Sequence, residues 1–316
     1  MRILVVGAGA PGGYFGGRLL QHGRDVTFLV RERRAAQLAQ QGMKIRSAKG
    51  DADLPAPPTV LAADLRAPYD AMPYDLILLS CKAYGLEQAM ADIAPAVGPD
   101  TAILPLLNGM RQLDLLDARF GAQRVLGGQC VIAATLDAQG GVQHLNQSHS
   151  LTFGERDGSA SGRMRAITST LSDAGFDARP SHTILQDMWD KWVFLASLAG
   201  ITCLLRGSVG AIVAAPGGRT AALTLLEECR AVAERCGHAP GEATMQRARS
   251  VLTEAGSSLT ASMLRDLTHG HAIEADHVIG DMLARADRQR DEHSLLAVAY
   301  AHLKIYEAGR AHPPAA

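Results

Sequence analysis

In the first half of the chain, short unbroken apolar runs alternate with stretches of mixed polarity. The runs are RILVV (2–6), DVTFLV (25–30), DLILLSCK (75–82), AILPLL (102–107) and RVLGGQCVIAAT (124–135). Runs of this length without polar alternation are buried on both faces, as strands of a helix-covered parallel sheet are. The stretch GGVQHLNQSHSLTFGE (140–155) reads as a hairpin extension of the same sheet. From about Asp187 the period changes. Segments 187–205, 217–236, 240–254, 259–269, 273–288 and 292–309 carry helical spacing and few strand formers. The pattern predicts an α/β domain over 1–182 and an all-helical domain over 183–316, joined through PSHTILQ (180–186). No internal repeat is visible, and HPPAA (312–316) is expected to fray.

The first strand runs directly into Gly7-Ala8-Gly9-Ala10-Pro11-Gly12, followed by a helical stretch and a second strand. In that setting GxGxxG is a dinucleotide-binding fingerprint, which makes the N-terminal domain Rossmann-type. Gly7 permits the tight turn, Gly9 lets the backbone approach a pyrophosphate, and Gly12 lets helix and sheet pack closely. Pro11 fits a first helical turn, where its missing N–H costs little. The alternative is a glycine-rich turn without ligand. The second strand ends at Val30-Arg31-Glu32-Arg33-Arg34. An acid there would favour the ribose 2′-hydroxyl of NAD; three arginines around one acid favour a 2′-phosphate, hence NADPH/NADP+. A solvated charge cluster at a helix start is the plainer reading of the same residues. Lys82 and Asn108 follow later strands at their carboxyl ends, the rim where open α/β sheets bind ligands.

Composition narrows the class further. A 316-residue chain with 47% apolar residues and net charge −1 is a globular protein without the charge for a nucleic-acid groove or an anionic membrane surface. The apolar run from Trp192 to Leu205 is shorter than the roughly 20 residues a bilayer requires. Five cysteines, no CxxC and no signal-peptide pattern suit a reducing cytoplasm. His269 and His271 form an HxH pair, but no third metal ligand has a characteristic spacing.

The stretches WDK (189–191 as Trp-Asp-Lys) and SMLRDLTHGHAIEAD (262–276) join these N-terminal motifs in an order and spacing that resemble ketopantoate reductase (2-dehydropantoate 2-reductase) over nearly the whole chain. The resemblance implies NADPH-dependent reduction of 2-dehydropantoate to a 2-hydroxy acid, in pantothenate biosynthesis. It implies Lys191 as proton donor and Glu274 as the acid near nicotinamide and substrate. Asn108 would touch both, Arg31, Lys82 and Ala133 would contact the cofactor with the residues of the glycine turn, and Ser262 would bind substrate. A lysine ammonium beside a ketone oxygen stabilises the charge that hydride delivery creates there, and desolvation eases its proton release. A snorkelling side chain is the structural alternative for Lys191.

The chain departs from the family pattern at three positions. Leu195 and Ala199, four and eight residues after Lys191, stand where asparagines are common, and so does Ile279, five after Glu274. A paralogous reductase of a less polar 2-keto acid, or a non-catalytic NADP(H)-binding sensor, is therefore an alternative. Twelve residues of unbroken helix would hold Ser262 and Glu274 about 18 Å apart, so a break is expected at Gly270. The helical half offers amphipathic faces for a homodimer, which one chain could equally cover itself.

Overall fold

The computed structural model describes residues 1–65, 74–286 and 294–311. The C-terminal pentapeptide and the expected helix limits at 288 and 292 lie outside them. The elements, in chain order, are β1 (Arg2–Val6), α1 (Ala10–Gln21), β2 (Asp25–Leu29), α2 (Glu32–Gln41), β3 (Met43–Arg46), β4 (Ala52–Leu54), β5 (Thr59–Val60), β6 (Leu76–Leu79), α3 (Leu86–Ile93), β7 (Ala102–Pro105), α4 (Arg111–Phe120), β8 (Gly127–Leu136), β9 (Val142–Gly154), α5 (Gly162–Leu171) and β10 (Asp177–Pro180). Helices follow: α6 (Ile184–Leu205), α7 (Val209–Ala214), α8 (Gly218–Arg235), α9 (Glu242–Leu252), α10 (Ser262–Thr268), a π-helical segment (Asp276–Gly280), α11 (Asp281–Ala284) and α12 (Leu295–Ala311). The chain forms two compact units. One comprises Met1–Leu107 and Gln112–Leu185; the other comprises Asn108–Arg111 and Gln186–Ala316.

The first unit holds a parallel sheet in the order β5-β2-β1-β6-β7. The order reverses between β1 and β6, which opens a crevice at the strand carboxyl ends. A second sheet has the order β10-β9-β3-β4, with β8 antiparallel to β9. The predicted hairpin over 140–155 therefore does not extend the first sheet. Pro105 supplies the reason. Ala102 and Leu106 donate toward the β6 side, so by alternation residue 105 faces the open edge, where proline has no N–H to give. Only a short bridge between Ile103 and Val125 forms there before β8 departs to pair with β9. The short strands β3, β4 and β10 and the helix α7 carry too little periodicity to stand out in the sequence.

Helix α1 lies between the two sheets, and its paired glycines allow it. A methyl at Gly16 would strike Val5 and Phe28 of the first sheet; one at Gly17 would strike Ile45 and Met43 of the second. Tyr14, Phe15 and Leu19 fill the intervening core, each fully buried. The large apolar area withdrawn here, at about 25 cal/mol per Å², is the main stabilisation of the unit.

The second unit is built around α6. This helix has 22 residues and by length and composition could cross a bilayer, because it starts eight residues before Trp192. Its burial, not its length, marks it as a core helix: two-thirds of its most apolar window (67%) is covered within the fold. Leu225, Ala299 and Ile279 crowd against its Gly200. Glu228 accepts the N–H groups of Leu295 and Leu296 and so caps the start of α12.

Candidate functional site

The sheet unit presents a cavity of ≈ 820 Å³ at the carboxyl ends of its strands, bordered by Val6–Gly9, Leu29–Glu32, Ala62 and Lys82. Gly7 sits at φ +89, a conformation costly for residues with a side chain. A methyl at Gly12 would overlap Gly7 O and Ser80 Oγ, whereas the space before Gly9 is open. Ser80, at the end of β6, donates to Val6 O at 2.8 Å and fixes the strand end from below. Helix α1 thus starts at Ala10, with Gly9 as its N-cap and Pro11 in its first turn, facing a cavity wide enough for a dinucleotide. Arg31 and Lys82 border that cavity, and both stand at helix starts, Arg31 before α2 and Lys82 before the turn that leads into α3. A smaller cavity of ≈ 350 Å³ adjoins Arg31, Arg33 and Arg34. Ala133 lies on β8, where its N–H is taken by Asn146 Oδ1 at 3.0 Å, and is not part of the large cavity's wall.

Asn108, three residues past the end of β7, groups with the helical unit, and there it meets Lys191. The lysine Nζ donates to Asn108 Oδ1 at 3.0 Å, and both side chains are partly buried. The turn carrying Asn108 is locked in place. Gly109 has φ +88, and a methyl on it would come within 2.9 Å of His277 O and 3.7 Å of Trp192 Nε1. Trp192, beside Lys191, donates its indole N–H to Val278 O at 2.9 Å. Val278 N in turn bonds to Glu274 O, so Glu274 heads the segment that grips α6 next to the lysine. That segment is π-helical, a geometry frequent at functional sites. His277 within it is held neutral: burial lowers its pKa to about 4, Glu274 pulls the other way, and Arg111 adds to the depression.

The expected helix break is present. α10 ends at Thr268, and Gly270 takes φ +72. Ser262 opens α10 and is exposed. Its neighbour Ala261 donates to Thr202 Oγ1 at 3.4 Å, which places Ser262 at a level about 16 Å along α6 from Lys191. Leu195, partly buried, and Ala199, 2% exposed, lie on the stretch between. Ile279 is fully buried. Cys203 and Cys229 are pushed up to about 12 by burial, which leaves neither as a thiolate nucleophile. The exposed rings of His269 and His271 stack 5.8 Å apart. Sequence reading missed Gly109, Trp192, His277 and Ser80. Only the Asn-Gly pair and the Trp next to the lysine were visible signals.

Residues 3–158 match the sequence model of the family described as Ketopantoate reductase PanE/ApbA, and residues 183–307 match that of its C-terminal part. The uncharacterized oxidoreductase YkpB of Bacillus subtilis is 37% identical over 308 residues, covering 98% of this chain and 99% of that protein. The 2-dehydropantoate 2-reductase structure from Methylococcus capsulatus is 26% identical, with TM-score 0.83 and 99% of each chain covered. A ternary structure of D-mandelate dehydrogenase with NADH and anilino(oxo)acetate shares the fold at 21% identity, TM-score 0.84, covering 98% of this chain and all of that one (100%). With both halves matched in order, the glycine turn opening the sheet unit and Lys191 opening the helical one, the chain belongs to the ketopantoate reductase family of oxidoreductases.

Proposed function

We propose that the chain is a cytoplasmic NADPH-dependent reductase that converts 2-dehydropantoate to pantoate, a step of pantothenate biosynthesis. The observation that carries this reading is the 3.0 Å pair of Lys191 and Asn108, set beside the π-helical segment that follows Glu274. When bound, the reduced nicotinamide would supply the hydride that the ketone carbon accepts. As charge gathers on the ketone oxygen, the Lys191 ammonium stabilises it and hands it a proton. Asn108 holds that ammonium through Oδ1, which leaves its N–H₂ end to donate to the substrate. Glu274 accepts the tail hydroxyl or steadies the ammonium. The Gly7–Gly12 turn, with Ala8, Ala10 and Pro11 in it, holds the pyrophosphate at the α1 N-terminus. Arg31 and Lys82 would hold the 2′-phosphate and adenosine end.

A second reading has its own support. Leu195, partly buried one turn beyond the lysine, is apolar where a hydroxylated tail would need an amide. That suits a 2-keto acid with an alkyl or aryl tail, and D-mandelate dehydrogenase shows that the fold accommodates an enzyme named for an aryl substrate. The test is NADPH oxidation with 2-dehydropantoate and a panel of 2-keto acids with unhydroxylated tails. The highest kcat/KM for 2-dehydropantoate supports the first reading, and preference for an apolar tail supports the second. Dinucleotide binding without turnover on any of them would make the chain a non-catalytic NADP(H) sensor.

A further inference from the structure

Arg34, the third residue of α2, does not project freely toward the cofactor cavity it borders. Its Nε donates to Ala8 O at 3.1 Å, its Nη1 to Gln37 Oε1 at 2.6 Å, and its Nη2 to Gly140 O at 2.9 Å. Gln37, one turn further along α2, donates to Gln139 O at 2.7 Å. One guanidinium therefore ties together the glycine turn, α2 and the tip of the β8–β9 hairpin. The tip is preformed: Asp137 accepts the N–H groups of Gln139 and Gly141 and the amide of Gln143. Gly140 takes φ +79, and a methyl on it would overlap Arg34 and Gln37, so the hairpin is shaped to receive the guanidinium. Burial lowers the pKa of Arg34 while Asp137 opposes the shift; the group nevertheless stays charged, as arginine does in proteins.

The bond to Ala8 O matters most. The Ala8–Gly9 peptide is planar and trans, so fixing the carbonyl also fixes the Gly9 N–H on the opposite side. That N–H belongs to the turn that must receive a pyrophosphate. We propose that Arg34 is a positioning residue for the pyrophosphate turn, and that reading the 2′-phosphate is left to Arg31 and Arg33. The inference rests on the dinucleotide-binding reading of the glycine turn. Three of its five N–H groups, one on each nitrogen, are held by protein acceptors on three separate segments, which is the geometry of a brace.

Four probes separate these roles: NADPH, NADH, ADP-ribose and adenosine 2′-monophosphate. The first three carry a pyrophosphate, and only the first and last carry a 2′-phosphate. Dissociation constants are measured by calorimetry for the full-length protein, Arg34→Ala and Arg34→Lys, with melting temperature recorded for each. Arg34→Ala should weaken NADPH, NADH and ADP-ribose together by roughly tenfold to a hundredfold and leave adenosine 2′-monophosphate unchanged. Arg34→Lys, which can reach only one of the three acceptors, should show the same pattern with a smaller loss; it decides the matter if the alanine variant does not fold. Loss of NADPH and adenosine 2′-monophosphate with NADH and ADP-ribose retained would overturn the proposal in favour of phosphate recognition. An equal loss on all four probes in a folded variant would overturn it too. A wild-type protein that binds neither NADPH nor NADH would remove the dinucleotide reading itself.

Discussion

Lys191 and Asn108 stand 83 positions apart in sequence and 3.0 Å apart in space. A cation at the head of an apolar helix is thereby oriented by an amide from a rigid turn. Lys191→Ala should lower kcat by about 10²–10⁴-fold, the usual contribution of a general acid, while NADPH affinity and melting temperature persist. Steady-state kinetics with calorimetric binding checks this. Full turnover in the variant would make Lys191 a snorkelling residue and discard the proposed acid.

The turn should matter as much as the lysine. Gly109→Ala puts a side chain at φ +88 and a methyl 2.9 Å from His277 O. The turn must shift, and Asn108 with it. We expect a loss of about 1–3 kcal/mol in stability, with kcat falling more than KM rises. Urea denaturation and kinetics read the two effects separately; an unchanged kcat would mean that Asn108 does not need its present position.

Cofactor choice should depend on Arg31, which borders both cavities beside α2. Arg31→Ala should weaken NADPH by roughly tenfold or more and NADH little, because only NADPH offers a phosphate to pair with. Equal losses for the two dinucleotides would show that the arginine cluster does not read the phosphate.

His277 predicts a pH dependence of stability. Its folded pKa is depressed from 6.5 to about 4, mainly by burial. Above pH 6.5 both folded and unfolded forms are neutral and the residue costs nothing. As pH falls from 6.5 toward 4, the unfolded chain takes up a proton that the folded one refuses, so stability is lost across that window. The full loss is roughly 3 kcal/mol at 1.36 kcal/mol per unit. His277→Gln should flatten this limb. Unfolding free energies at about pH 7 and about pH 5 measure it, and parallel slopes in wild type and variant would assign the acid lability elsewhere.

How much of this was legible in the sequence follows the range of the interactions. The glycine turn, the strands beside it and the break at Gly270 are local, and residue type alone reveals them. The second sheet was misread because its separation depends on which way one proline nitrogen faces, a consequence of strand register that composition does not carry. Asn108 was legible as a residue past the end of β7, but not the packing of its turn with residues more than 80 positions away. Arg34 was read as one of three equivalent phosphate-side arginines. Its commitment to Ala8 and Gly140 depends on a hairpin tip that approaches from 106 positions downstream.

The substrate tail gives the last test. Lys191 and the level of Ser262 lie about 16 Å apart along α6, and Leu195 and Ala199 occupy the interval. A tail that leaves the ketone in that direction passes Leu195, which is partly buried, before it reaches Ala199, which is 2% exposed. The two positions should therefore behave differently. Leu195→Asn should raise kcat/KM for 2-dehydropantoate relative to a 2-keto acid with an alkyl tail, because the new amide pairs with the hydroxyl and is left unpaired by the alkyl chain. A shift of about 1–2 kcal/mol, roughly five- to thirtyfold in the ratio, is the scale of one such hydrogen bond. Ala199→Asn instead adds a larger polar group at a closely covered site and should cost about 1–3 kcal/mol of stability. Competition kinetics with the two substrates, together with denaturant unfolding of both variants, distinguishes these outcomes. If the ratio stays fixed in Leu195→Asn, the tail does not run along α6 and substrate choice lies with other residues.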